Sequence, residues 1–140
     1  MFSFFHKEIK TASFEDIKWC IDNKNKNTYL INTLKNNEQN CLICNTVSCV
    51  DEETIINEII ENHDQNETII IVYGKNTNDT SVEKKYNQLK KLGFEKVYIY
   101  KGGMFEWLLL QDIYGFDEFQ TNTKIIDILK YKPGNSIIKY

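Results

Sequence analysis

The sequence predicts an α/β protein, a central parallel sheet of four to five strands flanked by helices on both faces. Three observations carry that expectation. Thr68-Ile69-Ile70-Ile71-Val72-Tyr73 is a continuous β-branched and aromatic run, too short for a typical helix and apolar on both faces, as a buried parallel strand reads. From Thr80 the period changes, with Val82, Tyr86, Leu89 and Leu92 on one helical face and Lys84, Lys85, Gln88 and Lys91 elsewhere. A second strand, Lys96-Val97-Tyr98-Ile99-Tyr100, then runs into Lys101-Gly102-Gly103-Met104-Phe105-Glu106-Trp107, whose glycine pair permits a sharp turn before another helix. Strands that alternate with helices pair in parallel through right-handed crossovers.

Taken in order, Ser13-Phe14-Glu15-Asp16 opens a first helix, with Ser13 as its cap, Asp16 facing the free amides, and Phe14, Ile17, Trp19 and Ile21 as its apolar surface. Asn23 to Asn27 ends it. Tyr29 to Asn32 reads as a strand, Lys35 to Asn40 as a polar loop, and Thr46 to Val50 as a further strand in which Cys49 alternates with Val47 as core packing. Asp51-Glu52-Glu53 places acids at the positive end of a helix whose buried stripe is Ile55, Ile56, Ile59 and Ile60. Gly74-Lys75-Asn76-Thr77-Asn78-Asp79 breaks the chain between strand and helix, and Gly93 ends that helix in a left-handed turn. After Trp107, Leu108-Leu109-Leu110 and Ile113-Tyr114 continue a helix that Gly115 stops. Phe116 to Gln120 is a connection. Thr121 or Thr123 then caps a last helix carrying Ile125, Ile126, Ile128, Leu129 and Tyr131, with Lys130 and Lys132 at its negative end and Pro133-Gly134 beyond it. This segment either folds back onto the core or offers a partner surface.

At 140 residues one domain is expected, spanning 1–140 with a core of about 13–114 and a C-terminal extension of about 115–140; a chain this long builds its own hydrophobic core without disulfides. A net charge of -3, with lysines interleaved among acids, argues against nucleic acid as a partner. No apolar run reaches the length of a membrane span. Met1-Phe2-Ser3-Phe4-Phe5 is too short for a signal peptide and is followed by His6, Lys7 and Glu8, so a cytoplasmic location is expected. Cys20, Cys41, Cys44 and Cys49 are then reduced thiols. The sharper alternative, zinc or dithiol chemistry at Cys41-x-x-Cys44 with Cys49 and Cys20 or His63, lacks the second pair that the usual zinc spacing supplies. His6 and His63 have no motif partner and are read as surface residues.

A buried strand, a loop, a helix ending in Leu92-Gly93-Phe94, a strand Val97-Tyr98-Ile99-Tyr100 and then Gly102-Gly103-Met104-Phe105-Glu106-Trp107 resembles the second half of a rhodanese-like (thiosulfate sulfurtransferase) domain. The glycine pair and its spacing to Trp107 are the most specific part. The resemblance reaches back more faintly to Ser13, through Tyr29 to Leu34 and Leu42 to Val47, and forward to Tyr114. It implies the fold, and it also implies a loss. Active members carry a persulfide cysteine just after the central strand, where this chain has Gly74. The family's Asp and Arg fall on Asn32 and Leu34, its His falls on Leu42, and the sequence contains no arginine. The loop is also longer than the usual sulfurtransferase loop. The Asn-rich composition and the segment Trp107 to Gly115 are similar to rhodanese-like proteins of large DNA viruses, for which the location would be host cytoplasm or virion.

These readings lead to a catalytically silent domain with no cofactor, whose degenerate active-site loop is Gly74, Lys75, Asn76, Thr77, Asn78 and Asp79 and whose partner is another protein or a second copy. A membrane partner is not expected. Two alternatives stay open: an enzyme with its thiol relocated to Cys41, Cys44 or Cys49, and a small-anion binder. The anion is disfavoured because Asp79, at the helix start, can itself occupy the free amides.

Overall fold

The computed structural model describes residues 8–23 and 27–137. The expectations placed on Met1 to Phe5, on His6 and on the middle of the Asn23 to Asn27 stretch lie outside those residues. Among the described residues four strands, β1 (Thr11–Ala12), β2 (Thr28–Asn32), β3 (Ile69–Tyr73) and β4 (Lys96–Tyr100), form one sheet in the order β1-β4-β3-β2. Every pairing is parallel, with Leu30 opposite Ile71 and Ile71 opposite Tyr98. Four α-helices among the described residues connect and cover them: α1 (Phe14–Asp22), α2 (Glu52–Glu61), α3 (Ser81–Lys91) and α4 (Gly103–Tyr114).

Strand alternation divides the interior into two layers. Leu30, Ile71, Tyr73 and Tyr100 face a cluster built with Ile17 and Cys20 of α1 and Met104, Trp107 and Leu108 of α4. Ile31, Ile70, Val72, Val97 and Ile99 face the opposite cluster, with Ile56 and Ile59 of α2 and Val82, Tyr86 and Leu89 of α3. The unbroken apolar run of β3 is thereby explained, since both of its faces are covered.

The predicted helix boundaries have their chemical causes in place. Asp16 N–H donates to Ser13 Oγ at 3.4 Å and Ser13 N–H to Asp16 Oδ2 at 2.8 Å, a reciprocal capping box on α1. Gly93, at φ 99°, follows α3 in the left-handed region. Leu92, placed on the buried face of that helix by its period, is instead 42 % exposed, as the C-cap one residue beyond the last helical position, Lys91.

Three expectations are corrected. Thr46 to Val50 is not a strand: only Thr46 bridges to Leu30, and Ser48 then diverts the chain, its Oγ accepting from Val50 N–H and its carbonyl from Asp51 and Glu52 N–H. Cys49 is consequently exposed rather than core packing. The last helix is absent too. Thr121 and Thr123, read as caps, face back across the chain, with Thr121 bridging to Ile43 and Thr123 Oγ1 donating to Asn40 O, and among the described residues beyond them only a 3-10 turn, Ile128–Tyr131, forms. The β-branched run Ile125-Ile126 has little intrinsic drive to helix. The segment does fold back: Phe119, Thr121 and Tyr131 are buried, whereas Ile126 and Leu129 are exposed.

Candidate functional site

In open parallel sheets, ligand sites form outside the carboxyl ends of the strands. Here Gly74 to Asp79 leaves β3 at that end, beside Thr33 and Leu34 after β2 and the amino terminus of α4 after β4. A groove of about 420 Å³ lies over the loop, lined among others by Leu34, Glu38, Lys75, Asp79 and Lys132.

The loop is fixed from below by α4. Met104 N–H donates to Gly74 O and Phe105 N–H to Lys75 O, both at 2.9 Å. This close approach requires the second glycine of the pair: Gly103 has φ 64°, and a Cβ there would lie 2.6 Å from Gly74 O and 3.0 Å from Asn76 N.

Asp79 fills the loop from within. Its Oδ2 accepts from Lys75 N–H at 2.9 Å, and its Oδ1 accepts from Ser81 N–H at 3.0 Å and from the Ser81 hydroxyl. The carboxylate therefore sits between one amide of the loop and the first amide of α3, at the positive end of that helix where an anion is favoured. The Lys75 ammonium is tied to Glu38 at 2.9 Å. Burial alone would raise the Glu38 pKa, but the Lys75 ammonium and the Lys35 N–H outweigh it and hold the carboxyl below its usual value.

Gly74 is enclosed by the same groups. A Cβ added to it would overlap the Asp79 carboxylate and lie 2.5 Å from the Val82 Cγ2 methyl. Asn32 is buried, with its Oδ1 accepting from Leu34 N–H at 3.0 Å and from the Gln39 amide at 2.7 Å, so it braces the turn after β2. Leu34 and Leu42 are both buried in the cluster on the α1 and α4 side. Asn76 has its Oδ1 on Asn78 N–H at 3.0 Å and its Nδ2 on Tyr131 O at 2.9 Å and Lys132 O at 3.2 Å.

The structure brings Gly74, Lys75, Asn76, Asn78 and Asp79 to one place and leaves the four cysteines as free thiols. Cys41 is buried with its thiol on Thr123 O, Cys44 is partly exposed, and Cys49 is exposed. Burial pushes the Cys20 thiol up to about 11, against a smaller opposing effect of the Thr28 hydroxyl. Among the described residues no group of three or more His, Cys, Asp or Glu side chains could hold a metal ion. No described helix is long and apolar enough to cross a membrane. Sequence reasoning missed Glu38 and Tyr131, which reach the loop from segments that carry no motif.

The chain belongs to the rhodanese-like family: the model of the Rhodanese-like domain matches residues 15–110. No curated protein matches it in sequence. Among solved structures it is similar to a protein from Bacillus halodurans, at 20 % identity over 76 % of this chain and 74 % of that one, with a TM-score of 0.56. A yeast protein tyrosine phosphatase of the rhodanese family shares 12 % identity over 84 % of this chain and 94 % of that one, with a TM-score of 0.57. A single-domain sulfurtransferase from Saccharomyces cerevisiae shares 16 % identity over 77 % of this chain and 95 % of that one, with a TM-score of 0.52. At these identities the likeness concerns the fold.

Proposed function

We propose that this domain is a rhodanese-like protein without sulfurtransferase chemistry, used as a protein-binding or structural module. One observation carries the reading: the position that follows the central strand, where active members hold the persulfide cysteine, is Gly74, and the amide beside it is already bonded to Asp79. A thiolate nucleophile needs a partly exposed, electropositive surrounding. Gly74 supplies no sulfur, Asp79 contributes negative charge, and Lys75 is neutralised by Glu38. The solved sulfurtransferase and the phosphatase share the fold with this chain, and a fold of this kind hosts chemistry only through its site residues.

The test is sulfur transfer from thiosulfate to cyanide by the purified protein. The expected rate is that of the background reaction. Gly74→Cys alone is also expected to stay at background, because the new Cβ meets the Asp79 carboxylate and the Val82 methyl and no arginine is present to hold the anion. Turnover by the unmodified protein that disappears in Cys44→Ser or Cys49→Ser would replace this reading by that of an enzyme with a relocated thiol.

A further inference from the structure

A surface helix normally turns its polar side chains to water and its apolar ones to the core. The middle of α4 does the reverse. Gln111 is turned inward, its Nε2 donating to Phe119 O at 2.7 Å and to Thr121 Oγ1 at 3.1 Å, whereas Leu109 is 38 % and Ile113 69 % exposed. Phe105, only partly buried, precedes Leu109 at the same spacing. Residues four apart lie on one side of a helix, so Phe105, Leu109 and Ile113 form an apolar stripe on the side away from the fully buried Met104, Trp107 and Leu108. A helix that is apolar on every side is normally covered on every side. Among the described residues nothing buries Leu109 and Ile113, and Leu129, on the 3-10 turn that packs against the same helix, is exposed as well.

The charges at the two ends of the stripe say what fits over it. Between Gly103 and Tyr114 the helix carries acids, Glu106 and Asp112, and no lysine. Lys101, just ahead of the helix, and Asp117, just beyond it, are both exposed and stand equally far from Leu109 along the sequence. Neither belongs to an ion pair among the described residues. Two copies of α4 laid antiparallel about Leu109 set Phe105 of each against Ile113 of the other, bring Lys101 of each toward Asp117 of the other, and oppose the two helix dipoles. A foreign partner would have to supply an acid and a cation at the same separation. A second copy supplies both by symmetry.

We propose that the outer face of α4 is a self-association surface whose occupant is a second copy of this chain, packed antiparallel through Phe105, Leu109 and Ile113 about a two-fold axis. The inference rests on the protein-binding reading above and names its surface and its partner.

Sedimentation velocity of the full chain between about 1 and about 200 µM tests it. The boundary is expected to move from the monomer value toward the dimer value as concentration rises. Ile113→Lys is expected to weaken association at least about tenfold without lowering the melting temperature, because the side chain is mostly exposed and a cation is favourable near a helix carboxyl end. Lys101→Glu is expected to weaken association about threefold, and Lys101→Glu combined with Asp117→Lys to restore it. A monomer at every concentration overturns the proposal, as does a dimer that is indifferent to Ile113→Lys or is not restored by the paired charge exchange. Turnover of thiosulfate by a chain that dimerises in this way would overturn the non-enzymatic reading and leave the surface standing, whereas an inactive monomer would overturn the surface and leave that reading.

Discussion

Replacing Trp107 by alanine is expected to cost about 3–5 kcal/mol, a large fraction of the stability of a domain this size. The indole is fully buried and lies edge-on to two rings, Tyr100 at 6.4 Å and Phe119 at 5.1 Å between centroids. Its Nε1–H donates to Gln120 O at 3.1 Å. Alanine would leave a cavity between the sheet and the returning C-terminal segment, and would remove one of the two donors to Gln120 O, which keeps the Cys44 N–H. Denaturant melts of the two proteins measure the difference. A change below about 1 kcal/mol would mean that the ring packs little and that the C-terminal segment is held by other contacts.

Gly103→Ala is expected to cost about 2–5 kcal/mol. The left-handed conformation accounts for about 1–2 kcal/mol of it, and displacement of backbone by a side chain that does not fit accounts for about 1–3 kcal/mol. The obstruction is main chain, the carbonyl of Gly74 and the amide of Asn76, and neither can swing aside as a side chain would. Gly102→Ala is the matched control. Its φ is -61° and its added methyl would meet the Glu106 side chain, whose carboxylate can swing aside but whose Cβ, at 2.6 Å, moves only with the helix backbone, so its cost is expected to lack the left-handed contribution and to fall below that of Gly103→Ala. Equal losses at the two positions would show that the approach of α4 to the loop is not what the second glycine provides.

What could be read from the sequence followed the strength of local signals. β3 and β4 were legible because their apolar runs are dense and bounded, and α1 because Ser13 and Asp16 form a complete capping box. Asp79 was legible as a self-made cap because a carboxylate just ahead of a helix has free amides within reach. Thr46 to Val50 failed since the local bonds of Ser48 outcompete strand pairing, and the last helix failed since Tyr131 and Thr121 are recruited by the core and by Ile43. Local hydrogen bonding decided the first case, and tertiary contact acting on a weakly helical run decided the second. The two-residue β1 is too short to leave a period. The clasp of Asn76 on Tyr131 spans 55 positions in sequence and has no local signature at all.

That the loop is filled by its own carboxylate is tested most directly by titrating thiosulfate, sulfate and phosphate while following the amide resonances of Lys75 through Val82. An entering anion must displace Asp79 from the Lys75 and Ser81 amides and tolerate its charge nearby, in a sequence with no guanidinium for a two-point clamp. No saturable shift is expected at sub-millimolar anion and physiological salt, and Asp79→Asn is expected to improve binding only modestly. Saturable sub-millimolar shifts in the unmodified protein would contradict the account and make the domain an anion binder.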